Sequence, residues 1–424
     1  TPALSKDPPN IGYVKYTLCI NTLFNGNTTN ILTNIITTSN LTNITCISFP
    51  TNIIYDPSNG YIYIADLFGS IYVINPSTNQ VIDNITIYLT PWGIAYDPSN
   101  GYIYVTAWFL LWPWANGVIY VINSSTNQVV GNITVEGIPL GITYDPSNGY
   151  LYVTSIDLSN LLFNISYSYL YIISVINPST NQIIASVNIT VGFTPWSWRT
   201  VSYVAVSGFD MNLPFNISLP WNIIYVPSNG YIYVLSGNSI YVINPSTNQV
   251  IDNITIGTAL TSITYDPSNG YIYVVDSGSG AVYVINPSTN QVIGNITVTE
   301  PQQYVLIDIV YDPSNGYLYV TANYGSPSYT FGGVVFVINP STNQVIGNIT
   351  VGDYPTGIAY DPSNGYLYVA NVGSGTISII ATTNEAEEYL VTFIESGLPN
   401  GTLWSVTVNG TTKTSTTNEI TFTL

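Results

Sequence analysis

The chain has no histidine and only four cations, Lys6, Lys15, Arg199 and Lys413, in 424 residues. Each absence excludes a class of chemistry. Without His there is no Ser-His-Asp or Cys-His relay. Without His and Cys clusters there is no zinc-type site. Four cations against 22 carboxylates give a formal net charge of −18, which leaves almost nothing to neutralise phosphates, so nucleic acid is not an expected partner. No Gly-rich loop joins a strand to a helix in the pattern that cradles nucleotide phosphates. The apolar runs are short and broken by Pro, Asn and Gly, so no membrane-spanning helix is expected. No catalytic residue, metal ligand or cofactor is assigned. The chain is not expected to be an enzyme, and a hydrolase or lyase working with carboxylates alone is the residual catalytic alternative.

Low charge, 6% of residues, does not mean disorder here, because 46% are hydrophobic and 13% aromatic. A surface built for neutral pH spreads Lys and Glu over itself, and this one uses Asn, Thr, Ser and Tyr. Below about pH 3.5 most carboxylates are neutral, and such a chain loses nearly all self-repulsion. The composition therefore points to an acidic exterior. Seven Asp-Pro bonds, a chemically acid-labile type, then require shielding in tight turns. The chain begins at Thr1, as a protein does after signal removal. It has two cysteines, Cys19 and Cys46, expected to form a disulfide outside the cell. Closing that loop would contribute on the order of 3 kcal/mol.

What the chain has in abundance is a repeated phrase. Tyr-Asp-Pro-Ser-Asn-Gly-Tyr begins at Tyr55, Tyr96, Tyr144, Tyr265, Tyr311 and Tyr360, and a seventh copy with Val226 in place of Asp begins at Tyr225. Most copies are followed by Val-Ile-Asn-Pro-Ser-Thr-Asn-Gln and then Asn-Ile-Thr. Self-similarity at this period signals a repeat architecture. In residues 52–87, Asn52–Tyr55 reads as a first strand and Asp56-Pro57-Ser58-Asn59-Gly60 as a turn, in which Asp accepts backbone N–H groups, Pro presets φ and Gly takes the left-handed position. Tyr61–Ala65 and Ser70–Ile74 read as the second and third strands. Asn75-Pro76-Ser77-Thr78-Asn79 is another turn, and Gln80–Ile87 is the fourth strand. Tyr61-Ile62-Tyr63-Ile64 has no polar face, as expected of a strand covered on both sides by neighbouring blades. The fold class is therefore all-β: a seven-bladed β-propeller of four-stranded antiparallel blades. The gap between Tyr144 and Tyr225 holds a long loop of blade 3 and no eighth blade. The last blade loses its pattern near Asn384-Glu385. Residues 29–37 echo the fourth-strand phrase and are expected to close the ring, giving a propeller over 29–384 after an N-terminal segment, 1–28.

These repeats resemble the YVTN β-propeller repeats of archaeal surface-layer and cell-surface proteins. The match covers about 52–384 and includes Tyr-Val-Thr-Ala at 104–107 and Tyr-Val-Ala-Asn at 368–371. The resemblance implies a propeller displayed outside an archaeal cell and implies no enzyme activity. Residues 388–424, with Glu395-Ser-Gly-Leu-Pro-Asn-Gly-Thr-Leu-Trp404, resemble small β-sandwich modules of proteins secreted by thermoacidophilic archaea. They read as a partial immunoglobulin-like sandwich with strands at 389–394, 402–408 and 418–424. That is too short to bury a core of its own. A neighbouring subunit could complete it by strand addition from the N-terminal segment, so self-association is expected.

Two surface features carry the functional expectation. Fourteen Asn-x-Ser/Thr sequons stand at Asn27, Asn40, Asn43, Asn84, Asn123, Asn132, Asn164, Asn188, Asn216, Asn253, Asn295, Asn348, Asn400 and Asn409. Those at 84, 132, 188, 253, 295 and 348 fall in the fourth strand, where a glycan would block edge pairing. The repeated Asp residues read as turn caps in preference to calcium ligands. The long insertions all lie on the opposite face from the repeated turns. They carry Trp108, Trp112, Trp114, Leu161, Leu162, Phe163, Trp196, Trp198, Arg199 and Trp221. An apolar patch there would be a subunit contact, a lid, or a platform for surface polysaccharide. The expectation is an extracellular, glycosylated cell-surface structural protein, a subunit of a filament or surface layer. An adhesin or carbohydrate-binding propeller is the alternative.

Overall fold

A computed structural model describes residues 15–19, 49–108, 117–157, 168–192, 222–300, 303–324, 332–382, 390–394, 401–408, 411–417 and 419–423. Seven four-stranded antiparallel sheets form a seven-bladed propeller. Blade 1 consists of Pro50–Asp56, Tyr61–Asp66, Ser70–Asn75 and Gln80–Thr86, paired in sequence order. Blade 3 takes its third and fourth strands from Ser168–Asn177 and Gln182–Gly192, after its long loop.

The core is a set of separate seams between blades. Ile62, Ile64, Tyr72 and Ile74 of blade 1 pack on Tyr368, Ala370, Ile377 and Ile379 of blade 7. Tyr63, Ala65, Ile71 and Val73, on the other face of the same sheet, pack on Ile94, Ile103 and Val105 of blade 2. This two-sided burial is why the second strand has no polar face.

The repeated phrases are bolts across these seams. Asp56 is fully buried, and its Oδ1 accepts from Ser58 N (2.8 Å) and Ser58 Oγ (2.7 Å). Gly60 closes the turn onto Asp56 O at a φ of 74°, which favours glycine. Asn59 Oδ1 accepts from Tyr61 N (2.9 Å), while its Nδ2 donates to the Tyr63 hydroxyl (2.9 Å) and to Ser124 O of the next blade (3.0 Å). The Tyr63 hydroxyl reaches Asn127 Oδ1 at 2.8 Å. Blade 4 repeats the clasp on blade 5: Asn229 Nδ2 donates to Tyr233 (2.8 Å) and to Pro287 O (2.9 Å), and Tyr233 donates to Asn290 Oδ1 (2.6 Å). Asn127 and Asn290 sit at φ of 54° and 53°, a left-handed conformation that Asn tolerates best after Gly. One residue thus forms the turn and receives the bolt. Burial pushes the Tyr233 hydroxyl up to about 12, against the hydrogen bond from Asn229. Tyr233→Phe is expected to cost about 1–3 kcal/mol, because the Asn290 acceptor loses its donor. Guanidinium unfolding measures it.

The ring closes differently from the sequence expectation. The fourth strand of blade 7 is Lys15–Cys19, paired antiparallel with Thr376–Ala381, and not residues 29–37, which lie outside the described residues. The echo of the repeat at 28–37 is one of composition, whereas Lys15–Cys19 supplies an uninterrupted five-residue ladder. The N-terminal segment expected to serve a neighbour's C-terminal module therefore has five residues in its own ring.

The described C-terminal residues form four strands. Leu390–Ile394 pairs with Glu419–Thr423, and Trp404–Val408 pairs with Thr411–Ser415. Thr411–Ser415 is additional to the three expected strands. Its signal was the Asn409-Gly410 dipeptide between two Thr/Val-rich runs, a hairpin marker.

Candidate functional site

Two regions can bear function: the rim and the axis. On the rim, the side chains of Asn84, Asn132, Asn188, Asn253, Asn295 and Asn348 are all exposed, each beside a buried Ile such as Ile85 or Ile133. The strand alternates, turning Ile into the seam and Asn out to solvent. In five blades the Asn lies opposite an aromatic of the third strand: Tyr72, Tyr120, Tyr241, Tyr283 and Phe336. Asn188 lies opposite Ile172, two residues farther along its strand, so the blade 3 sequon is displaced from the others. Asn123 is half-buried, and its Oδ1 accepts from Ser125 N at 2.9 Å within the turn. The remaining sequons, Asn27, Asn40, Asn43, Asn164, Asn216, Asn400 and Asn409, lie outside the described residues.

At the axis each first strand presents a residue followed by Ile, as in Asn52-Ile53, Gly93-Ile94 and Asp308-Ile309. The pairing register shifts just before this Ile in blades 2, 3, 6 and 7. Gly93 and Gly357 are small out of necessity. A Cβ on Gly93 would come 2.3 Å from Leu140 O of blade 3, and one on Gly357 would come 3.2 Å from Asn52 Cα of blade 1. The polar residues stitch neighbouring blades. Asn222 Nδ2 donates to Ser262 Oγ (3.0 Å), and Ser262 Oγ donates to Asp308 Oδ1 (2.6 Å). Asp308 Oδ1 also accepts from Ile309 N (2.9 Å), and Oδ2 accepts from Ile358 N (3.1 Å). Blades 4, 5, 6 and 7 are joined through one carboxyl group.

These residues border a cavity of about 200 Å³. Asp308 keeps some accessible surface there, yet it is surrounded by protein at depth. Burial pushes its carboxyl above the usual range, opposed by the donors Ser262, Ile309 N and Ile358 N. Chemically it is a carboxyl that accepts three hydrogen bonds at a polar hub. Sequence reading missed it because the position varies from blade to blade. The available signal was the residue preceding the recurrent Ile of each first strand.

The expected loop face is largely outside the described residues, which omit Trp112, Trp114, Leu161, Leu162, Phe163, Trp196, Trp198, Arg199 and Trp221. Trp108 is corrected. It ends the second strand of blade 2, is 4% exposed, and packs with Ile138, Leu140 and Ile156 of blade 3. Its indole belongs to the seam because the strand extends farther than the sequence suggested. Cys46 lies outside the described residues, and with it the expected disulfide. Among the described residues no three His, Cys, Asp or Glu gather as a metal site, and no helix is long and apolar enough to cross a membrane.

No family model and no curated protein matches the chain. Solved structures do. A chain of Kuenenia stuttgartiensis hydrazine synthase superposes with a TM-score of 0.59 at 15% identity, over 84% of this chain and 99% of that one. The Cps50 (Swd1) β-propeller domain of Myceliophteria thermophila superposes with a TM-score of 0.55 at 10% identity, over 83% and 100%. The expectation that the chain is not an enzyme is corrected at this point. The hydrazine synthase chain, named for an enzyme, shares this architecture, so the fold does not set catalysis aside, and equally does not establish it. At these identities the likeness is one of fold: this chain is a seven-bladed β-propeller.

Proposed function

We propose that the chain is a secreted, N-glycosylated cell-surface structural protein, a subunit of an extracellular assembly such as a filament or surface layer. The observation that carries this reading is the rim: six outer strands each expose a sequon asparagine on a surface that is nearly free of charged side chains. Glycans there would supply the solubility that charge does not. An acidic exterior fits the raised carboxyls of Asp66 and Asp308, which burial favours in the neutral form. The YVTN-like repeats and a partial immunoglobulin-like module at the C-terminus fit display outside an archaeal cell. Self-association joins the copies.

Intact-mass spectrometry of protein recovered from the cell exterior tests the glycan part. Several hexose-containing additions above the 46.2 kDa chain mass are expected, and a mass equal to the bare chain contradicts it.

A further inference from the structure

The seven outer edges are not alike, and the difference falls on one blade. In blades 1 to 6 the fourth strand carries an extra residue between consecutive register pairs: Ile82, Val130, Ile184, Ile251, Ile293 and Ile346. A bulge of this kind twists an edge away from the plane in which another strand could pair. The same six strands carry the exposed sequons. They are protected twice.

Blade 7 has neither device. Lys15–Cys19 pairs with the third strand through five unbroken pairs, from Lys15 opposite Ile380 to Cys19 opposite Thr376. The registers of blades 1 and 7 correspond, since Ala65 pairs with Ile71 as Ala370 pairs with Ile377. Asn84 and Thr86 of the blade 1 sequon lie opposite Tyr72 and Ser70. The matching positions in blade 7 are Thr17, opposite Ser378, and Cys19. The register is kept and the asparagine is missing. Lys15 is moreover the only Lys or Arg in any of the seven outer strands. Among the described residues Lys15–Cys19 pairs with the third strand alone.

We infer that the Lys15–Cys19 edge of blade 7 is where a second copy of this chain docks on the rim, by antiparallel pairing of the two Lys15–Cys19 strands. The inference rests on the glycosylated-assembly reading. Centred on Thr17, the pairing is isologous and sets Lys15 opposite Cys19 of the second copy, so like charges do not face each other. Turned about Thr17, each Lys15–Cys19 strand offers the other an unbulged five-residue ladder of the same length, so the edge is self-complementary.

The double substitution Thr17→Asn with Cys19→Thr rebuilds the sequon at the register position of Asn84 and Thr86. With the new site occupied, shown by an increase in intact mass, sedimentation velocity is expected to show the dimer or larger species reduced to monomer, with an unchanged circular dichroism spectrum. Cys19→Thr alone keeps the association. Association that survives with the site occupied, or that is lost in Cys19→Thr alone, overturns the inference. If the new site stays bare, Thr17→Lys with Cys19→Thr sets like charges face to face at the two-fold and decides the matter without a glycan. A wild-type chain that sediments only as monomer removes the assembly reading and the inference together. Bare rim asparagines in the mass spectrum remove the glycan part alone and leave the edge to the lysine variant.

Discussion

A chain lacking residues 1–20 is expected to lose ring closure at blade 7. The third strand, Thr376–Ala381, would then present an unpaired edge, and the seam between blades 7 and 1 would open at the rim. The lost ladder has five residue pairs. At roughly 1 kcal/mol per hydrogen bond the loss is on the order of 5 kcal/mol, comparable to the whole stability of many domains. The guanidinium midpoint should fall steeply, and the protein should aggregate through the open edge. A synthetic peptide spanning residues 11–22, added in excess, should restore the midpoint by occupying the empty position. An unchanged midpoint in the truncated chain would mean that another segment closes the ring.

The stability contributed by Asp308 and Asp66 should fall as pH rises from the acid side, a direction opposite to that of ordinary acid denaturation. Burial raises the carboxyls of Asp308 and Asp66 in the folded chain. A carboxyl with a raised folded pKa holds its proton more tightly folded than unfolded. Its stabilising contribution is complete below the unfolded value, about 3.9, and is lost as pH rises through the folded value. Asp308→Asn removes this linkage at the hub. The variant carries a constant penalty, because the amide cannot accept from Ile358 N as the carboxylate does. The melting temperature of the variant relative to wild type should therefore climb as pH rises from below the ordinary carboxyl value, about 3.9, through the raised folded value. A relative melting temperature that stays flat or falls as pH rises contradicts the assignment of Asp308 as a raised carboxyl.

Much of the fold was legible because the same phrase recurs with the same chemistry. Asp56-Pro57-Ser58-Asn59-Gly60 reads as a turn from residue types alone, and the hydrogen bonds of Asp56 and Asn59 give those types their reasons. What could not be read was the partner across the seam. Nothing in the sequence links Asn59 with Ser124, or Tyr233 with Asn290, because those contacts depend on which blades lie side by side. Ring closure was misread for a related reason. Residues 11–20 read as strand-like, but a strand with no turn joining it to its partner carries no local mark of what it pairs with, so resemblance to the repeat drew attention to 29–37. The axial carboxyl of Asp308 escaped because attention to repeated residues hides the position that each blade fills differently. On the rim the sequons were visible in the sequence, whereas the bulges beside them, and the blade that has neither, emerged only from the register.

Negative-stain electron microscopy of protein recovered from the cell exterior, kept at about pH 3 where most carboxylates are neutral, tests the assembly reading most directly. Ordered filaments or sheets built of ring-shaped units are expected, with rings paired at one sector of the rim and the pairs joined through further contacts. Dispersed single rings, with no recurring contact between them at any concentration, would contradict it.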